Sequence, residues 1–220
     1  MFTAFFLIVS AYLLGSVPFG LIVGKIGYGK DIRQYGSGNL GATNTLRVLG
    51  LTPGIFVLLL DVCKGLLVTG LASYLFPQAP TLLHQPQSVG VWHSAVVVLT
   101  AIAVICGHNW SVYLRFSGGK GVATGAGALI MLVPVIVLML LGLWALIVAA
   151  TRYVSLASIS VAAAFPGLMF FLFPDNIPYI LFSIIASALV IYKHRSNIQR
   201  LLSHEENRIG KSATVPRENQ

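Results

Sequence analysis

The chain has 220 residues, 56% hydrophobic and only 9% charged, with a formal net charge of +8 and a mean hydropathy of +0.85. Soluble domains carry about 25% charged residues, so the composition excludes a soluble enzyme and describes an integral membrane protein. No basic stretch is interleaved with aromatics for base stacking, which excludes nucleic acid as a partner.

The apolar runs are continuous rather than alternating, which reads as helices and not a barrel. The first span is 2–23, with Gly15, Pro18 and Gly20 placed to kink its end. The N-terminus lacks a basic n-region and a small-residue cleavage site, so it reads as a retained helix. Residues 24–52 form a polar, glycine-rich connection. Thr52 and Pro53 then read as an N-cap and first helical proline. A second span runs to about Phe76. Residues 77–91, uncharged and holding Pro77, Pro80 and Pro86, read as an outer loop, and a third span covers roughly 92–110.

The next apolar block, about 121–150, exceeds one comfortable span of ~20 residues and falls short of two. Charge placement arbitrates. Four basic residues lie in 24–50 and six after residue 192, while 77–91 has none. If the block crossed once, Arg152 and the basic C-terminus would fall outside, against the positive-inside bias. Two short helices meeting near Pro134 return Arg152 to the basic side. Spans 154–173 and 178–193 follow, with Pro174–Pro178 as an outer loop. The fold expected is an all-α polytopic bundle of about seven membrane helices, N-terminus outside and C-terminus cytoplasmic. It forms one domain over 1–220, with a tail from about 194. A five-span arrangement, with 154–193 as one segment, satisfies the same parity.

Under this topology the glycine-rich and charged clusters 24–52, 107–124, 152–158 and 193–211 share one face. Phe116–Thr124, F-S-G-G-K-G-V-A-T, places three glycines around Lys120. Glycines let backbone N–H groups converge on an anion, and the lysine adds a point charge. It is no Walker loop, because Gly121 and not Ser or Thr follows the lysine and no strand precedes it. Ser37, Asn39, Thr43, Asn44 and Arg47 lie in a second polar segment. It reads either as an anion nest with an arginine clamp or as a capped helix start. Asp61 and Lys64, three apart, share a helix face inside a span; they read either as a structural pair or as part of the site's lining, with Asp61 assigned to a structural or supporting role and Lys64 left open. His194 and Asn197, also three apart, offer a base and a polar ligand beside Arg195 and Arg200. Cys63 and Cys106 sit in apolar runs, and the five histidines show no ligand spacing, so no metal or cofactor is expected. The H-x-x-x-x-D pattern of common glycerolipid acyltransferases is absent: Tyr113 stands where the aspartate would follow His108.

Taken together the motifs resemble the bacterial acyl-phosphate-dependent glycerol-3-phosphate acyltransferases. The matches are G-S-G-N-L-G-A-T-N-T-L-R at 36–47, D-V-C-K-G at 61–65, G-H at 107–108, F-S-G-G-K-G-V-A-T at 116–124 and H-R-S-N-I-Q-R-L at 194–201. The resemblance implies transfer of an acyl group from acyl phosphate to the 1-position of glycerol 3-phosphate, giving lysophosphatidate and phosphate in phospholipid synthesis. It implies a bacterial inner-membrane enzyme that works beside membrane lipid; the chain is expected to act as a monomer, although the sequence does not itself give the oligomeric state. By resemblance Ser37 and Arg47 bind the glycerol phosphate, and Gly118, Gly119, Lys120 and Gly121 form the anion loop. His194, Asn197 and Glu206 form the third motif, and Ser155 and Ser158 join the site. Ser37, Lys120, His194, Asn197 and Glu206 are the expected catalytic set. Asn39, Thr43, Asn44, Arg47, Gly118, Gly119, Gly121, Ser155 and Ser158 are expected to bind substrate. One departure stands out: before Glu206 the family has Leu-x-Gly-x-Glu, and here His204 replaces the glycine. The competing readings are an anion transporter, whose polar groups would sit at mid-membrane with access from both sides, and a non-catalytic assembly subunit.

Overall fold

A computed structural model describes residues 1–76 and 91–210. The expected outer loop 77–91 lies outside the described residues except for Val91. The described chain is helical, with one isolated backbone pairing between Ser111 and Ser117. Helix α1 is Phe2–Gly15 and α2 is Phe19–Ile22, running into a π-helical turn, Val23–Gly27. The break between them falls at Pro18, which has no N–H to continue the ladder. Helix α3 is Ala42–Leu49, α4 Leu51–Leu75, α5 Val91–Asn109, α6 Val122–Leu132 and α7 Pro134–Thr151. Then follow α8 Val154–Leu172, α9 Ile177–Lys193 and α10 Arg195–Leu202.

Two expectations are corrected. Thr52 does not cap α4; Gly50, at φ +98°, turns the chain from α3 directly into Leu51, and Pro53 sits in the first turn, where its missing N–H costs nothing. The block broken at Pro134 is not two short helices. Helix α7, with 18 residues, is long and apolar enough to cross alone. Helix α6 has 11 residues and spans about 16 Å, half the ~30 Å hydrocarbon core. Five helices meet the length and hydropathy of a full span, six when α9 and α10, bent by 58°, count as one. The seventh expected span is thus half-length. Helix α6 carries the Lys120 loop at its N-terminus, and the lysine side chain is largely buried there.

Lipid tails are as apolar as leucine, so helices in a bilayer associate through close packing rather than water exclusion. Two glycine crossings provide it. A Cβ at Gly15 would strike the Val104 backbone, and one at Gly107 the Tyr12 carbonyl, so α1 and α5 touch backbone to backbone. Gly65 and Gly127 do the same for α4 and α6, against the Thr124 and Val62 carbonyls. Helices α7, α8 and α9 form a second group joined by side chains, among them the edge-to-face Phe165–Phe182 pair, 6.1 Å apart. Ala11, Val104, Ile105, Leu132, Ile136 and Phe182 bind both groups into one core.

Candidate active site

Between α4 and α6 on one side and α8 and α9 on the other lies a cavity of about 480 Å³. Its deep walls are apolar, with Ile105, Leu140, Val161, Phe165, Phe182 and Ala186 among them. Leu58, Leu59 and Leu141 line it and are 43, 55 and 57% exposed along their spans, so the cavity opens sideways toward lipid. Its head is polar.

A chain of hydrogen bonds crosses that head. Lys120 Nζ donates to Asn197 Oδ1 at 2.6 Å, Asn197 Nδ2 donates to Glu206 Oε1 at 2.9 Å, and Arg200 Nε donates to Glu206 Oε2 at 2.9 Å. The 58° bend after Lys193 lets α10 fold over the cavity and carry Asn197 to Lys120. Burial pushes the Lys120 amine down to about 8, against the pull of Glu206. Arg47, on α3, donates through Nη2 to the Asn207 carbonyl at 3.1 Å, and its buried Nε has no partner. Burial lowers its pKa, and Glu206 opposes that. Two cations thus face one cavity with donor capacity unspent.

His194 is 3% exposed and lines the same space. Its Nδ1 lies 2.8 Å from the Val190 carbonyl. A carbonyl only accepts, so Nδ1 carries the proton and Nε2 is left with a lone pair.

The 36–44 segment is shaped by Asn44, 1% exposed. Its Oδ1 accepts from the Ser37 N–H at 2.8 Å and the Ser37 hydroxyl at 3.1 Å. Its Nδ2 donates to the Ile32 and Asn39 carbonyls, both at 2.9 Å. Asn44 is therefore saturated and shapes the loop instead of meeting a ligand. Ser37 keeps only acceptor lone pairs for the cavity. Asn39 Oδ1 accepts from Gly41 N at 2.9 Å, and Thr43 completes this wall.

The glycines divide. Gly121, at φ +77°, lines the cavity and starts α6 from a left-handed turn that disfavours a side chain. Gly118 and Gly119, expected beside the anion, do not line it: they face the end of α5, and Gly119 N donates to the His108 carbonyl at 2.9 Å. Beneath them lies a buried ionic cluster. Lys64 Nζ is 2.7 Å from Asp61 Oδ1 and 2.9 Å from His108 Nδ1, and it donates to the Val17 carbonyl at 3.2 Å. An ion pair and two hydrogen-bonding contacts thus surround the ammonium, which explains a lysine inside a span.

All fourteen residues singled out in the sequence except Gly118 and Gly119 line the cavity. Ser158 is spent, donating to the Val154 carbonyl and accepting from Trp144 Nε1 at 3.3 Å; the Ser155 hydroxyl has no partner. Sequence reasoning left Asp61 and His108 outside the site, and missed Trp144 and Ser187, whose buried hydroxyl is also free. The i,i+3 spacing pointed to the Asp61–Lys64 pair. Nothing local marks Trp144 or Ser187. His204 takes φ +61°, the left-handed turn that a glycine in that place adopts without strain, and Glu206 beyond it accepts from Asn197 and Arg200.

A recessed two-cation head on a lipid-open apolar cavity defines a membrane-embedded protein for an anion tethered to a hydrocarbon tail. The comparisons with known proteins agree with that class. The family model described as glycerol-3-phosphate acyltransferase matches residues 5–204, and the chain belongs to that family. It is 43% identical to a glycerol-3-phosphate acyltransferase of Acaryochloris marina, over 95% of this chain and 93% of that one. It is 46% identical to one of Trichormus variabilis, over 96% and 94%. Among solved structures it is similar to PlsY (YgiH), described as an integral membrane glycerol 3-phosphate acyltransferase. The glycerol 3-phosphate form matches at a TM-score of 0.83 and 39% identity, covering 94% of this chain and 96% of that one. The lysophosphatidic acid form matches at 0.81 with the same identity and coverage.

Proposed function

We propose that this chain transfers a fatty acyl group from acyl phosphate to the 1-hydroxyl of glycerol 3-phosphate, releasing lysophosphatidate and phosphate. It does so as a monomer and a single unit over 1–220, with its polar head at the cytoplasmic face of the bacterial inner membrane. The observation that carries the reading is the pairing of Arg47 and Lys120 over an apolar, lipid-open cavity. Two small anions repel each other, and two recessed cations offset that repulsion where screening is weak. Arg47 and Lys120 hold the phosphates, and Asn197 and Glu206 aim the lysine. The Ser37 lone pairs accept from a glycerol hydroxyl, and the partnerless Ser155 hydroxyl donates to the donor.

The hydroxyl oxygen attacks the acyl carbonyl, the carbon–oxygen bond to phosphate breaks, and phosphate leaves with the electron pair. His194 Nε2 takes the hydroxyl proton. Positioning alone supplies several kcal/mol, up to about 7–11 in favourable intramolecular cases. Transfer is direct: neither Cys63 nor Cys106 lines the cavity, the Ser37 hydroxyl is spent on Asn44, and the free Ser155 and Ser187 hydroxyls have no base hydrogen-bonded to them that would activate a nucleophile.

The test uses purified protein in lipid with acyl phosphate and glycerol 3-phosphate. Equimolar phosphate and lysophosphatidate are expected, and Lys120→Ala lowers kcat/KM about 100-fold or more with the fold intact. No product from folded protein overturns the reading. Uptake of glycerol 3-phosphate into sealed vesicles without acylation would favour a transporter instead.

A further inference from the structure

We infer that His108, clamped by Asp61 and Lys64, is the positioning residue of the Gly118–Gly121 turn and through it of Lys120. The inference rests on the reading of Lys120 as a substrate-binding cation, and assigns a task to three buried groups that the reaction leaves unused.

The turn sits on residue 108 at three points. Gly119 N donates to the His108 carbonyl at 2.9 Å. A Cβ on Gly118 would strike that same carbonyl oxygen. A Cβ on Gly119 would strike His108 Nε2, so the imidazole edge fills the place a side chain would take. These glycines are small so that the turn can lie flat on the ring. Gly118 and Gly119 are thus explained by packing, and Gly121 by its left-handed backbone.

The ring must then be immobile, and the cluster beneath makes it so. Lys64 faces His108 Nδ1 at 2.9 Å, with Asp61 Oδ1 2.7 Å from the ammonium and 3.5 Å from the same ring nitrogen. Nδ1 accepts from the ammonium, so the ring proton stays on Nε2, the atom that faces Gly119. The side chains of Asp61, Lys64 and His108 are 3, 5 and 9% exposed, and α4, α5 and the α1–α2 break all contribute, the last through the Val17 carbonyl. Residue 109 is tied as well, its carbonyl accepting from Lys193 Nζ at 2.7 Å. From this base the chain needs one residue, Lys120, to reach Asn197.

Two measurements on the full chain in lipid test this. In the first, the rate at which an amine-acylating reagent labels Lys120 is read by mass spectrometry against Lys25, which is half-exposed. His108→Ala and Gly119→Ala should each speed Lys120 labelling about tenfold, a coupling of ordinary size between touching residues. Gly119→Ala keeps all three side chains of the cluster and breaks the same contact from the turn's side, by pressing its Cβ against the His108 ring, so it decides the matter if His108→Ala does not fold. Unchanged labelling in a folded variant overturns the inference, whatever reaction the protein performs. The second is a double-mutant cycle in the acyl-transfer assay. His108→Ala should slow the parent about tenfold or more, yet add less than about twofold on a Lys120→Ala background. Losses that multiply would show that His108 acts independently of Lys120. A parent that labels as expected but transfers no acyl group would overturn the proposed reaction and leave the positioning role standing.

Discussion

The two ends of the Lys120–Asn197 bond rest on different ground. Lys120 stands on a turn pressed against α5 and underlain by the Asp61–Lys64–His108 cluster, deep among four helices. Asn197 belongs to an eight-residue helix, α10, and to a tail held from outside. The tail's anchors are at or near the surface. Arg200 reaches Glu206 with its side chain 27% exposed, Ile209 N donates to the Arg152 carbonyl at 2.9 Å, and Arg152 Nη2 returns a bond to the Ile209 carbonyl at 2.8 Å. Arg208 lies 5.0 Å from the Tyr153 ring centre. One wall of the site is part of the bundle's interior and the other is laid across it.

The largest effect should come from breaking the fixed wall. Asp61→Ala leaves the Lys64 ammonium buried without its counter-ion, which costs about 3–5 kcal/mol, and the thermal midpoint in detergent should fall sharply. Glu206→Ala should cost activity but much less stability; equal destabilisation by the two would erase the contrast. Next is the pH response of the bond itself. Lys120 titrates near 8 instead of 10.5 because it is buried. Above about pH 8 the folded chain loses this proton before the unfolded one does, so on this group's account stability rises between about 8 and 10.5. Anion binding goes the other way: kcat/KM should drop about tenfold per pH unit above 8, and Lys120→Arg should remove the descent. Smaller still, Arg152→Ala frees the tail. The KM for glycerol 3-phosphate should rise about fivefold, the worth of one hydrogen bond, and proteolysis after Arg200 should quicken while the melting temperature holds. The smallest change is His204→Gly. Removing a left-handed Cβ should stabilise the turn by up to about 1 kcal/mol and leave kcat/KM where it was.

The sequence disclosed what is local. Charged and glycine-dense segments in an apolar chain announce themselves, and motif order pointed to Glu206, which lines the cavity despite His204. What stayed hidden depends on distant segments meeting. The spacing of Asp61 and Lys64 showed their shared face but not that His108, from α5, would sit above them. Gly118 and Gly119 share a composition with ligand-binding nests, and only the ring beneath them shows that they serve packing. Asn44 looked like a ligand because it is polar and neighbours Arg47, yet its amide is fully engaged by the loop. Proline at 134 marked the break correctly. It could not say that the halves are unequal, because both are uniformly apolar and length is fixed by where Gly121 lets α6 begin.

The sideways opening past Leu58, Leu59 and Leu141 has a consequence for how fast the proposed reaction can run. One substrate arrives from water, at a concentration counted per litre. The other arrives within the plane of the bilayer, at a concentration counted per lipid. Adding inert lipid at fixed donor and fixed volume should therefore slow the enzyme by surface dilution, while adding buffer at fixed glycerol 3-phosphate concentration should not. The two reactants are metered by two different solvents, and the protein stands where those solvents meet.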